Sequence, residues 1–129
     1  MATNFLCQIN NVYYEVIECS NNDTALSDSF LLGRTYYFDR KIYINKDLES
    51  DKKEETLRHE LTHAFIHETQ IINQEENFNY TEEMVCEFVA KYGKQIDSIC
   101  RTYRAYKADI ERQKIKLYFG ETNNETEKQ

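Results

Sequence analysis

Phe5, Cys7 and Ile9 place an apolar residue at every second position, and Val12, Tyr14 and Val16 repeat that spacing after Asn10-Asn11. A period of two marks half-buried strands, and asparagine tolerates the positive φ of a tight reversal, so the stretch predicts a β-hairpin. Cys19 to Ser29 is polar and holds Ser20-Asn21-Asn22-Asp23, the composition of a loop. The short apolar run Phe30-Leu31-Leu32 then ends at Gly33. Arg34 to Ile44 is rich in strand formers (Tyr36, Tyr37, Phe38, Ile42, Tyr43, Ile44), with Asp39-Arg40 as the turn of a second hairpin.

The period then changes from two to that of a helix. Between Asp51 and Glu68, Leu57, Leu61, Ala64 and Phe65 gather into one stripe at about 100° per residue, with His59, His63 and His67 roughly opposite. Ser50 and Asp51 are N-cap types, and Glu54 follows Asp51 by three residues, so a capping box is expected at the start. Thr69 to Asn79 is dense in Asn, Gln and Glu and reads as an exposed connection.

A second helix is expected to open near Asn79 to Thr81, with Glu82 and Glu83 in its first turn, where the helix dipole favours carboxylates. Val85, Val89, Tyr92 and Ile96 form its predicted packing stripe. Gly93 interrupts it at a cost of about 1 kcal/mol against alanine, a sign of close packing or a bend. The helical period continues through Tyr103, Tyr106 and Ile110, as one very long helix or as two. Residues 120–129 are polar and read as a disordered tail, which leaves 1–119 as a single domain. The fold class is α+β: two N-terminal antiparallel hairpins, the histidine-bearing helix, and one or two further long helices.

Composition narrows the function. With 129 residues the chain has room for one modest core, so any active site is minimal. A net charge of −7 and a pI near 5.0 argue against nucleic acid or an anionic membrane as partner. Arg101 to Lys116 is a local basic exception, best accounted for as a solvated helix face. The first residues lack the basic and apolar regions of a secretory signal and no run is long enough to span a bilayer, so a cytoplasmic protein is expected. Cys7, Cys19, Cys86 and Cys100 show no paired spacing and are expected to be free thiols.

The chemistry lies in His59-Glu60-Leu61-Thr62-His63. On a helix the two imidazoles stand one turn apart on the same face, able to bind one Zn²⁺, while the carboxylate beside the first can accept a proton from water. Two histidines do not hold a catalytic zinc, and a third protein ligand is required. His67 lies one further turn along the axis and reads as a wall of the cleft or an exposed histidine. Glu83 and Glu87, one turn apart and roughly opposite the Val85/Val89/Tyr92/Ile96 stripe, are better placed: one as the ligand, the other as a partner that orients a ligand imidazole. Glu82 is the alternative to Glu83. The strand before the helix is placed to edge a cleft where an extended peptide adds to the sheet, although a strand that only packs would look the same.

Leu57 to Ile66 followed by Glu82 to Ala90 resembles small phage- and prophage-type metallopeptidases, similar to the ImmA/IrrE family within the gluzincin arrangement. The resemblance covers roughly Ile42 to Ile96. Thr62 stands where that family usually has glycine, and its Glu-Ala-Asn-x-Phe-Ala element is matched only at Phe88 and Ala90. It implies a small zincin-like domain in which His59, His63 and Glu83 hold Zn²⁺, Glu60 is the general base, and the substrate is a protein or peptide. The alternative functions are a non-catalytic relative that binds a partner such as a repressor, and a structural zinc module. An intact Glu60 counts against both, because neither needs a base.

Overall fold

The computed structural model describes residues 4–20, 25–26, 32–70 and 81–127, with side chains as far as residue 119. β1 (Phe5–Ile9) and β2 (Val12–Cys19) form the expected first hairpin, with Ile9 opposite Val12 and Asn10 at φ 58° in the turn. β3 (Gly33–Tyr36) and β4 (Lys41–Asn45) form the second, closed by a turn in which Arg40 takes φ 54°. What joins the hairpins is a parallel pairing of β2 with β4, so the sheet is mixed, in the order β1-β2-β4-β3, and β3 is an edge strand. Of the predicted loop, Cys19 instead ends β2, Ser20, Ala25 and Leu26 are described, and the rest, with Phe30 and Leu31, lies outside the described residues.

α1 (Ser50–Thr69) lies on this sheet through the stripe its sequence announces: Leu57, Leu61, Ala64 and Phe65 are fully buried. They meet Ile9, Tyr14, Ile42 and Ile44 in one cluster, where each large side chain contributes roughly 1.5–3 kcal/mol by leaving water. The capping box is not formed. The N-cap is Glu49, which makes no side-chain cap bond, and Glu54 instead pairs with Arg58 and Arg104. Gln70 closes the other end in the left-handed region at φ 56°, its N–H donating to the Ile66 carbonyl.

The connection expected from Thr69 to Asn79 falls largely on residues 71–80, outside the described residues. Beyond it α2 (Glu82–Glu127) is one helix, not two, opened by Thr81, whose hydroxyl accepts from the Met84 N–H. The expected tail, 120–129, overlaps its last turns, where side chains are outside the description. α2 runs antiparallel to α1, with Tyr92 against Phe65 at 5.6 Å between ring centroids and Asp97 bonded to Arg58 at 3.1 Å.

The packing face of α2 differs from the predicted one. Phe88, Ile96, Cys100 and Tyr103 are buried and Tyr92 half-buried, while Val85 and Val89 are 49% and 59% exposed. Further along, Tyr103 and Tyr106 pack on Phe5, at 5.0 and 5.3 Å.

Glu18 fastens these layers together. Its carboxylate accepts from Lys53 of α1 at 2.8 Å, pairs with Lys107 of α2 at 3.0 Å, and accepts the Tyr103 hydroxyl. Burial pushes its pKa upward, but these donors outweigh that and hold it below the ordinary carboxylate value. None of the four cysteines is in a disulfide: Cys7, Cys19 and Cys100 are buried thiols, and Cys86 is a thiol on the exposed side of α2. Burial pushes Cys7 up to about 12, reinforced by Cys100, which keeps it protonated and inert. No helix among the described residues is long and apolar enough to cross a membrane.

Candidate metal centre

His59 and His63 stand on the exposed side of α1 with their Nε2 atoms 3.3 Å apart and their rings edge to face at 73°. Two nitrogens bound to one tetrahedral zinc at about 2.0–2.1 Å are separated by about 3.3–3.4 Å, so the pair has the spacing of a metal chelate. Glu60 completes the group, with its Oε2 3.8 Å from His59 Nε2. One ligand-type atom from each of the three residues lies within 4.8 Å of the others, and this is the group among the described residues able to take a metal.

The three side chains meet different surroundings. The histidines are exposed, whereas Glu60 is buried. It turns toward β3, where the Thr35 hydroxyl donates to its Oε1 at 2.8 Å and lies 3.2 Å from its backbone carbonyl. One carboxylate oxygen is thus held by the sheet while the other faces the histidines.

Close approach of β3 makes that bond possible, and Gly33 makes the approach possible. A Cβ built at Gly33 would lie 2.7 Å from Thr56 Cγ2, 2.9 Å from the Tyr43 carbonyl and 3.3 Å from Glu60 Cγ, which leaves no room for a side chain. Alternation puts Gly33 and Thr35 on the same face of β3. Both were missed from the sequence, although a glycine and a hydroxyl residue two apart on the strand before the histidine helix are the signal that could have found them.

His67 lies outside this group. Its ring stacks on Tyr37 at 4.3 Å and 17°, so it ties the β3–β4 turn to the helix and forms the wall beyond His63. Glu68, on the next position, pairs with Arg40 of the same turn at 3.6 Å and accepts the Tyr14 hydroxyl at 3.4 Å. Glu82, Glu83 and Glu87 are all exposed on the first turns of α2 and are not brought into the His59-Glu60-His63 group. Glu87 pairs with Lys91 at 3.2 Å.

Residues 17–92, from β2 through the first turns of α2, match the model of the IrrE N-terminal-like domain family, Peptidase_M78. The chain belongs to this family. The match takes in the histidine helix, the strand that holds Glu60 and the carboxylates of α2, and leaves β1, most of β2 and the rest of α2 outside. No curated protein and no solved structure matches the chain. Family and geometry agree on a metallopeptidase-type domain with a metal-binding His-Glu-His group.

Proposed function

We propose that this family member is a zinc-dependent metallopeptidase that hydrolyses peptide bonds of a protein substrate. The observation that carries the reading is the division of labour in the His-Glu-His group: two exposed imidazoles at chelating distance, and one buried carboxylate fixed by Thr35 rather than turned out to solvent. A domain that only bound a partner, or used zinc as a clamp, would have no use for an oriented base.

His59 and His63 supply two ligands and a carboxylate from the first turn of α2 the third. Glu83 is the expectation from sequence. Glu82 has the better claim in helical phase, since measured from Val89, which lines a groove shared with α1, it lies about 20° round α2 and Glu83 about 120°. A zinc ion held by these residues would supply Lewis-acid chemistry, polarising the peptide carbonyl and acidifying water. Glu60 takes the proton of the attacking water and returns it to the leaving amine, a contribution typically of about 10²–10⁴-fold. An extended substrate adds to the edge strand β3, which brings its backbone past Glu60.

Elemental analysis tests the centre. The expected result is about one zinc per chain, lost in His59→Ala and His63→Ala. Whichever of Glu82→Ala and Glu83→Ala removes the third ligand should weaken zinc binding beyond the roughly 10–100-fold expected of an outer partner such as Glu87. A wild-type protein that neither contains zinc nor gains thermal stability when zinc is added would end this reading.

A further inference from the structure

Three features of α2 have no role in the site or the core: the exposed valines Val85 and Val89, and Gly93 in the middle of a helix. All three line one groove of about 330 Å³, whose other wall is Arg58, Thr62 and Ile66 of α1 and whose floor is Phe88 and Ile96. Packing does not require the glycine. Its φ is not positive, and an added Cβ would meet one neighbour within 4 Å, Val89 Cγ1 at 3.6 Å, an ordinary contact. Glycine here costs helix stability and leaves space in the groove.

The groove adjoins the histidine pair. Thr62 is three residues from His59 and Ile66 three from His63, so each groove residue lies about 60° round α1 from a histidine. The metal face therefore runs between β3 on the Glu60 side and this groove on the other. Its volume is at the low end of the roughly 300–1,000 Å³ of ligand sites, enough for one side chain and too small for a helix. Its walls are neutral as well as apolar, since Arg58, the charged residue among them, is bonded to Asp97 at 3.1 Å and faces Glu54 at 4.0 Å.

We propose that this groove receives an aromatic or long aliphatic side chain of the polypeptide held across the histidine pair, with Gly93 keeping it open. The inference rests on the metallopeptidase reading for what the polypeptide undergoes, but not for the binding itself. Size, neutrality and continuity with the metal face select an uncharged side chain over a charged ligand or a second copy of the chain.

The test uses the full chain, ¹⁵N-labelled, titrated with N-acetyl-phenylalaninamide and with N-acetyl-alaninamide. Saturable amide shifts at Val85, Val89 and Gly93 are expected with the first and not the second. Gly93→Met fills the groove without touching the histidines and, as a better helix former, is expected to fold. It should weaken binding of the phenylalanine probe at least about tenfold, the scale on which apolar pockets discriminate, while Gly93→Ala keeps most of it. Equal shifts with both probes, no shifts, or a Gly93→Met protein that binds as wild type would overturn the proposal. So would a Gly93→Met protein whose only change is in sedimentation, since the occupant would then be a second copy. On a peptide library the wild type should cut beside Phe, Leu or Met, and Gly93→Met should lose at least about tenfold in kcat/KM on those peptides. Cuts without that preference overturn the groove and leave the peptidase intact. Selective probe binding with no cuts supports the groove and overturns the peptidase.

Discussion

Replacing Thr35 by valine removes one hydroxyl and nearly nothing else. Valine is close to isosteric and is a good strand residue, so β3 should keep its register with β4 and the fold should survive. What is lost is the 2.8 Å bond to Glu60 Oε1. A net hydrogen bond to a charged group is worth about 1.5–3 kcal/mol, and Glu60 is only 7% exposed, so water cannot easily take the place of the hydroxyl. With each 1.4 kcal/mol or so equal to tenfold in rate, kcat/KM should fall by about 10–100-fold, short of what Glu60→Gln costs. Zinc content should be unchanged, because Thr35 bonds no histidine. Thr35→Ser, which restores the donor, should recover most of the activity. The assay is cleavage of a fluorogenic peptide drawn from the substrate library, with zinc and circular dichroism measured on the same samples. A Thr35→Val enzyme with full kcat/KM would refute the claim that the sheet orients the base.

Further outcomes follow from the same contacts. Glu18→Gln should lower the urea midpoint by the equivalent of about 2–3 kcal/mol, since Lys53, Lys107 and Tyr103 lose a charged acceptor. Because the folded pKa of Glu18 is depressed, its contribution is present above the unfolded value near 4.3 and is lost as pH falls through the folded value. Stability should therefore fall less steeply below about pH 4.3 in the variant, and an identical slope would count against the cluster. Gly33→Ala should lower the melting temperature and cut activity together, because its Cβ must displace Thr56, the Tyr43 carbonyl or Glu60. A fully active, fully stable Gly33→Ala protein would show that the close approach of β3 is unnecessary.

The parts legible in the sequence are those fixed by one segment's own period. The stripe of α1 needs only the spacing of Leu57, Leu61, Ala64 and Phe65, and the two hairpins need only alternation and turn residues such as Asn10 and Arg40. The His-Glu-His group was legible for the same reason, since one helical turn fixes it. What escaped depends on a second segment. Val85, Val89, Tyr92 and Ile96 keep helical spacing as well as Phe88, Tyr92, Ile96 and Tyr103 do, and only the seating of α2 on α1 decides which face is covered. The parallel β2–β4 pairing leaves no local signature in either strand. The Thr35–Glu60 bond spans 25 residues between separate elements. The cap fell on Glu49 because the backbone turned there, leaving Glu54 free to reach Arg104 across the helix pair.

The central claim is that Glu60 is the base of a zinc peptidase, and Glu60→Gln tests it most directly. The amide fills the same space and Glu60 is not a zinc ligand, so the variant should fold and hold as much zinc as wild type. Both proteins, loaded with zinc, would be incubated with a proteome-derived peptide library, and new N-termini counted by mass spectrometry. The account predicts defined cleavages by wild type and a loss of about 10²–10⁴-fold in Glu60→Gln at equal zinc content. Equal cleavage by the two proteins, or none by a zinc-loaded wild type, would contradict it.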